Sequence, residues 1–307
     1  MGEIPLESVR CPLCGGGGET AASGADFEYA TSGLTFTFAR CETCDLLFLN
    51  PRPRADALAA IYPPNYYSFT GEDEPRGVVG FFRNLWERRK VRDYTRWLAP
   101  GPRRILDVGC GTGRLLSLLR DAGGPSWELR GIELDERAVE TARSRGFVAA
   151  RARVEDYAPD GAFDLIVLQQ VIEHVADPLG IVRTLASWLA PGGAIVLETP
   201  NLGGWDYRLF REGLWGGYHF PRHWVLFSRA SLRRLAEAAG LAVVEQRSLM
   251  SLAFWSWSAH HWMLARGWPR FLVRLARPPS ALLLPPSVML ELLQRETSNQ
   301  RMVARKG

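Results

Sequence analysis

Residues 105–116 read ILDVGCGTGRLL, and this stretch decides the fold. A short apolar run ends in Asp107, three glycines follow at alternate positions (Gly109, Gly111, Gly113), and an amphipathic helical pattern begins. The order is strand, tight turn, helix. Glycine lacks a Cβ, so such a turn can take positive φ and let a ligand lie against bare backbone. The first turn of the next helix aims unpaired N–H groups at the same place. Twenty residues beyond Gly113 stands Glu133, within WELRGIELDERAVETAR. A carboxylate at the tip of a second strand is the acceptor that the two hydroxyls of a ribose require. A third strand region ends in Val154-Glu155-Asp156, where a carboxylate could accept from an adenine amine. This spacing describes a nucleotide-type site.

The fourth strand lies in FDLIVLQQVIEHVADP (Phe163–Pro178) and the fifth follows a turn in LAPGGAIVLETPN (Leu189–Asn201). The GCGTG turn, the acidic second-strand tip, the FDLIV strand with its EHV tail and the LAPGG turn resemble, in order, the class I S-adenosylmethionine-dependent methyltransferases of bacterial small-molecule, natural-product or sugar pathways. The resemblance covers roughly Pro102 to Ser248. It implies an α/β fold with a doubly wound, mostly parallel, seven-stranded Rossmann-like sheet, its last strand inserted antiparallel beside the sixth. It implies S-adenosylmethionine as cofactor. Asp107 and the backbone of Gly109 and Gly111 would face the methionine moiety, and Gly113 would permit close helix packing. Glu133 would take the ribose hydroxyls, Leu134 would pack on the adenine, Glu155 and Asp156 would frame its amine, and Gln169 would sit beside the methionine part. The alternative for the same strand–turn–helix is a nicotinamide-binding Rossmann domain, whose turn is GxGxxG where this one is GxGxG.

The chain has 307 residues, enough for one main domain with attachments. Its 47% hydrophobic and 23% charged residues are those of a globular protein. The net charge is +4, and Lys90 and Lys306 are the only lysines among 37 basic residues. That skew reads as compositional bias, so no nucleic-acid partner is expected. The N-terminal MGEIPLESVR lacks a charged-then-apolar signal pattern, and a cytoplasmic location is the expectation.

Cys11-Pro-Leu-Cys14 and Cys41-Glu-Thr-Cys44 are two CxxC knuckles. Two such pairs in a reducing compartment predict a tetrahedral Zn(Cys)4 ribbon over residues 1–50, with no open coordination position and so a structural role. Two disulfides are the alternative. LTFTFAR within Phe27–Arg40 alternates apolar residues and predicts a hairpin between the knuckles. Asn50–Pro53 reads as a linker and residues 51–100 as a helical segment with Phe81–Leu98 amphipathic; the resemblance to methyltransferases implies that it caps the cofactor, with Tyr66 or Tyr67 either touching the methionine end or packing a loop. Residues 101–307 form the catalytic domain. Its strands are placed near Arg104–Val108, Leu129–Ile132, Phe147–Ala150, Phe163–Leu168, Ala194–Glu198, Leu241–Arg247 and Gln300–Ala304. Helices fall near Arg114–Asp121, Arg137–Arg145, Leu179–Leu189 and Arg229–Ala239, the last capped by Ser228 and stopped by Gly240.

Transfer of a methyl group to a hydroxyl needs a base, and histidine is suited to that near neutral pH. His174 follows the fourth strand. In the similar ubiquinone-pathway O-methyltransferases this tail carries acidic residues and a histidine associated with a metal ion; here Gln169 and Gln170 stand where a carboxylate would be wanted. His219 and His223 lie in GGYHFPRHWVLFS (Gly216–Ser228), and an HxPRH segment like this occurs in bacterial sugar and natural-product methyltransferases. His219, His223 and His174 are therefore the candidate catalytic residues. Residues 250–297, rich in tryptophan and interrupted by prolines, predict a helical insertion too broken to span a membrane. It could wall an apolar pocket, touch a membrane surface beside a lipid-like acceptor, pair with a second copy, or add core.

The sequence predicts methylation of a small or lipid-like acceptor, most simply at a hydroxyl, with carbon or nitrogen open. Two rivals remain: an RNA base methyltransferase gripping RNA through its ribbon, and an inactive methyltransferase-like docking protein. LQQV stands where amino-group base methylation would want an NPPY-type tetrad. The sequence leaves the oligomeric state open.

Overall fold

The computed structural model describes residues 4–63, 77–275 and 296–307. The N-terminal part holds β1 (Leu6–Glu7), β2 (Gly18–Ala25), β3 (Thr35–Cys41), β4 (Leu47–Leu49) and β5 (Arg52–Pro53), followed by α1 (Leu58–Ile61) and α2 (Gly77–Thr95). The main part alternates: β6 (Arg103–Val108), α3 (Arg114–Gly123), β7 (Trp127–Glu133), α4 (Glu136–Ser144), β8 (Val148–Arg151), β9 (Phe163–Gln169), α5 (Pro178–Trp188) and β10 (Leu189–Pro200). Then come α6 (Trp205–Phe210), β11 (Val225–Leu226), α7 (Arg229–Ala238), β12 (Leu241–Leu249), α8 (Leu252–Ala265), α9 (Arg270–Leu275) and β13 (Asn299–Lys306).

Seven strands form one sheet in the order β12-β13-β10-β9-β6-β7-β8. β6 to β10 run parallel, and β13 inserts antiparallel between β10 and β12. The reversal of strand order at β6 and β9 opens a crevice at their carboxyl ends, the place where such sheets take ligands. Ile105, Leu106, Leu165, Ile166, Val196 and Leu197 are fully buried, the near-continuous apolar strands of a sheet covered on both faces. The predicted main-domain strands and helices all appear, with ends shifted by a few residues at most except β10, which starts at Leu189.

The N-terminal module is joined to this sheet. Its four-stranded sheet has the order β11-β4-β3-β2, so the Val225–Leu226 strand of the main chain pairs with β4 (Val225 with Phe48, Leu226 with Leu47). One core cluster includes Cys11, Cys44 and Phe48 together with Ile166, Leu185, Phe227 and Leu232. Two expectations are corrected here. The hairpin does not lie within Phe27–Arg40: its first strand is β2, GETAASGA, which has no apolar alternation and pairs because β3 and the tight approach of Gly18 to Phe48 dictate it. The segment at Asn50–Pro53 is not a loose linker. Asn50 accepts from the Val9 amide at 2.9 Å, and Arg52 pairs with Glu7, donates to the Ala176 carbonyl and lies over Trp224.

Tyr66 and Tyr67 lie outside the described residues, as do residues 276–295 of the insertion. The described part of the insertion is α8 and α9. Among the described residues no helix is long and apolar enough to cross a membrane.

A buried ion pair welds the two parts. Arg222 donates to Asp26 through both terminal nitrogens, at 3.0 and 2.9 Å, with both side chains fully buried. Burial works against the Asp26 carboxylate, but Arg222 and the Thr31 hydroxyl outweigh it and bring the group down to about 2. A carboxyl depressed on folding contributes stability above its unfolded pKa, and that contribution fades as pH falls toward the folded value. Asp26→Asn is expected to cost about 3–5 kcal/mol in denaturant unfolding at pH 7. The gap from the native protein should narrow as pH falls from about 4 to about 2.

Candidate functional site

The turn after β6 has the geometry its glycines allow. Gly109, Gly111 and Gly113 have φ of 74°, 51° and 82°. The amides of Gly109 and Cys110 both donate to the Ile132 carbonyl, at 2.8 and 3.1 Å, which ties the turn to β7. A Cβ on Gly109 would strike Val171, and one on Gly113 would press on Phe147 and Ala142. A Cβ on Gly111 would meet nothing within 4 Å, so bare backbone faces open space there. Cys110 packs against Gly131, where a side chain would collide with its sulfur.

Glu133 closes the other side. Its carboxylate accepts from the amides of Gly111 (3.0 Å), Leu134 (2.6 Å) and Asp135 (3.1 Å). Leu134, Glu155 and Asp156 are exposed along the same carboxyl edge. Asp107 is buried at the end of β6, and burial, reinforced by the Glu133 charge and only partly offset by Lys90, pushes its carboxyl up to about 8. This pocket is short of positive charge. A ligand carrying an ammonium and a sulfonium supplies it, and the open backbone at Gly111 leaves room for an adenosyl group, so the residues present fit S-adenosylmethionine. Gln169 donates to the Tyr94 hydroxyl. Tyr94 belongs to α2, which is held over the crevice by the Lys90–Glu198 pair, by Arg301 bonded to Glu198 (2.7 Å) and Asp93 (3.1 Å), and by the Arg301 guanidinium over the Tyr94 ring.

The three candidate histidines come together beside this crevice. The backbone turn Val171–His174 links them: Val171 lies against Gly109, and its carbonyl accepts from the His174 amide. Ring centroids are 4.6 Å apart for His174 and His223, 5.0 Å for His219 and His223, and 6.3 Å for His174 and His219. His174 Nδ1 lies 3.1 Å from both the Tyr62 hydroxyl and the Arg222 carbonyl, and His223 Nδ1 lies 2.8 Å from the Gly217 carbonyl. Burial, then neighbouring imidazoles, drive His174 down to about 3 and His223 well below its usual range, so both are neutral at pH 7. Glu173 is fully buried, accepts from the Thr199 hydroxyl, and is pushed by burial up to about 8. Ligand atoms of Glu173, His174 and His223 lie within 4.8 Å of one another. The carboxylate missing at Gln169 and Gln170 is thus answered by an imidazole from the HxPRH segment, close enough for the three to converge on one cation.

Sequence reasoning missed the N-terminal contribution. Glu28, in the loop between β2 and β3, places Oε2 2.7 Å from His219 Nδ1, and Tyr29 meets the same ring edge-on. Lys90 left a faint signal as one of only two lysines in an arginine-rich chain; Glu28 left none.

The four N-terminal cysteines also converge. Their Sγ atoms lie within 4.8 Å of one another, with Cys11–Cys44 and Cys14–Cys41 both at 3.4 Å, and all are free thiols. A tetrahedron of Zn–S bonds of about 2.3 Å has edges of about 3.8 Å, so the donor set fits zinc. Burial raises the Cys11 thiol to about 11, whereas at Cys41 the amides of Cys44 and Thr43 outweigh burial and lower it to about 7.

A mostly parallel seven-stranded sheet with its last strand inserted antiparallel beside the sixth, and a side-chain-free turn facing a carboxylate on the next strand, is the arrangement of the class I S-adenosylmethionine-dependent methyltransferases. The chain belongs to the methyltransferase-domain family, whose model matches residues 83–246, just over half of its length. It is 31% identical over 183 residues to a ubiquinone biosynthesis O-methyltransferase of Thiobacillus denitrificans, covering 53% of this chain and 76% of that protein. It is 36% identical over 134 residues to a trans-aconitate 2-methyltransferase of an Acidovorax species, covering 43% of this chain and only 52% of that protein. Among solved structures, a chain from the complex of the Haloferax volcanii Trm112 methyltransferase activator with a methyltransferase shares the fold, with a TM-score of 0.52 at 20% identity over 74% of this chain and 91% of that one.

Two outcomes test the crevice. Gly111→Val meets no atom within 4 Å but strains the backbone at φ 51°, so it should lower thermal stability modestly, with the native circular dichroism spectrum retained, and weaken S-adenosylmethionine binding by at least about tenfold in calorimetry. Titrations of the native protein at pH 7 in buffers of different ionisation enthalpy should show proton release on binding, because a cationic ligand beside Asp107 favours its charged form. The release should vanish above about pH 9.

Proposed function

We propose that this protein transfers a methyl group from S-adenosylmethionine to a hydroxyl of a small or lipid-like molecule. The observation that carries the reading is the convergence of His174, His219 and His223 directly beyond the glycine crevice. The cofactor, when bound, supplies an electrophilic methyl carbon on a positively charged sulfur. Asp107, Glu133 and the Gly109–Gly113 backbone would bind it, and α2 would cover its methionine end. A carboxylate acceptor is already anionic at neutral pH and needs no base, whereas a hydroxyl does. An imidazole is the side chain suited to take that proton, and of the three rings His219 has a carboxylate, that of Glu28, at 2.7 Å. His219 and His223 are the residues assigned to the task, with His174 holding the loop through Tyr62 and the Arg222 carbonyl.

In this reading residues 1–50 form a zinc ribbon, 51–100 a helical cap and 101–307 the catalytic domain with its insertion at about 250–297. Trp205 and Leu209 on α6, and Trp268 and Phe271 at the start of α9, are exposed apolar side chains on either side of α8, of the kind a lipid-like acceptor would meet. Zinc held by Cys11, Cys14, Cys41 and Cys44 would have no open position and would act only on stability.

His219→Ala and His223→Ala should each lower kcat by about a hundredfold or more with hydroxyl acceptors while leaving cofactor affinity within about twofold. Full activity in both variants would overturn the reading. Metal analysis should find one zinc per chain, lost with Cys41→Ser together with thermal stability.

A further inference from the structure

The turn after β9 and the HxPRH segment bring one carboxyl and two imidazoles into a single buried group. Glu173 is fully buried, and its Oε2 accepts from the Thr199 hydroxyl at 3.0 Å. Its Oε1 has no hydrogen-bond partner among the described residues. Buried polar atoms in folded proteins are almost always paired, so an orphaned carboxyl oxygen calls for a ligand, an ion or a water. Among the described residues, burial, a backbone amide and Thr199 act on this group, and no guanidinium or ammonium does. The site is therefore short of one partner and one positive charge at the same point.

The two rings are oriented as donors. Nδ1 of His223 lies 2.8 Å from the Gly217 carbonyl, and Nδ1 of His174 lies 3.1 Å from the Arg222 carbonyl. A carbonyl only accepts, so in each ring Nδ1 carries the proton and Nε2 holds the lone pair. The Tyr62 hydroxyl, also 3.1 Å from His174 Nδ1, can accept from the same N–H. Histidines that ligate metals almost always donate their other ring N–H in this way, which fixes the ring and its tautomer. The two segments are locked side by side, because the Trp224 amide donates to the Glu173 carbonyl at 2.7 Å and Arg222 is held by Asp26. One ligand atom from each of Glu173, His174 and His223 lies within 4.8 Å of the others. Metal bonds of about 2.0–2.2 Å bring donors to about 3.0–3.6 Å apart, so the group closes on an ion with side-chain shifts of about an ångström.

We propose that Glu173 Oε1, His174 Nε2 and His223 Nε2 bind one divalent first-row transition ion. Two imidazoles with one carboxylate suit such an ion, whereas magnesium and calcium take oxygen donors. The ion supplies the charge that Glu173 lacks and the partner that its Oε1 lacks. Three protein donors leave positions open for water or an acceptor oxygen, unlike the closed set of four sulfurs in the N-terminal module. The site does not depend on which atom is methylated, because its occupancy is read without any acceptor. Within the hydroxyl reading it gives His223 to the ion and leaves the acceptor's proton to His219.

The test uses full-length protein reconstituted with zinc at its four cysteines and titrated with cobalt(II) chloride. Zinc binds the more tightly of the two and keeps the thiolates. Calorimetry, and metal analysis after dialysis, should find one cobalt per chain beyond the zinc. The visible spectrum should show d–d bands without a sulfur-to-cobalt charge-transfer band. Proton NMR of the cobalt-loaded native protein should show two exchangeable, paramagnetically shifted ring N–H signals, one for each histidine that donates from Nδ1. Glu173→Gln and His223→Asn should each weaken cobalt uptake at least about tenfold with the native circular dichroism spectrum retained. The rise in Tm that cobalt gives the native protein should shrink in step. Three results each overturn the proposal: no cobalt beyond the zinc in the native protein, uptake with a sulfur charge-transfer band, or a shifted ring N–H signal from fewer than two histidines. Equal uptake by native protein and both folded variants overturns it as well. Should a variant fail to fold, the spectrum and the ring N–H signals of the native protein decide the matter alone.

Discussion

The carbonyl of Ile132 receives two amides from the turn after β6, and the carboxylate of Glu133 receives a third. Those bonds hold a three-glycine bend open at the carboxyl end of the sheet. A further bond, from the Gly113 amide to the Cys110 carbonyl at 2.9 Å, closes the bend on itself beside the carboxyl ends of β6, β7 and β9. Everything functional is arranged around that opening. Asp107 is buried at its base, α2 lies across it through the charges of Lys90, Glu198 and Arg301, and Val171 carries the chain from its wall directly into the histidine cluster.

The second constraint is the union of the N-terminal module with the catalytic sheet. A zinc ribbon is easily imagined as an appendage. Here its sheet is extended by a strand of the main chain, its cysteines share a core with β9 and α7, and its loop sends Asp26 and Glu28 beneath the HxPRH segment. A buried ion pair such as Asp26–Arg222 adds little net stability relative to an apolar filling, but breaking it leaves an uncompensated charge in the core. The four-cysteine module and the main sheet therefore share one core in this region.

The parts of the molecule legible in the sequence are those governed by local rules. Alternating strands and amphipathic helices gave the succession of elements in the main domain, and the GxGxG turn marked the crevice because glycine takes φ of 51–82° without steric cost. Two CxxC pairs announced a four-sulfur cluster, and the structure brings all four together. Contacts over long sequence separation were invisible. Nothing in GETAASGA announces a strand, since its pairing is imposed by β3. Glu28 is an ordinary acidic residue in a loop until folding places it against a histidine 191 positions away. The three histidines were legible as candidates, but their neutrality and mutual contact follow from burial that no periodicity records.

The most direct test is a crystal structure of the full chain with S-adenosylmethionine. The cofactor should lie along Gly109–Gly113 with its ribose hydroxyls on Glu133, its amino group beside Asp107 and its methyl carbon facing the cluster of His174, His219 and His223. A cofactor bound with its methyl carbon turned away from those histidines, or a crevice left empty at saturating concentration, would contradict the account.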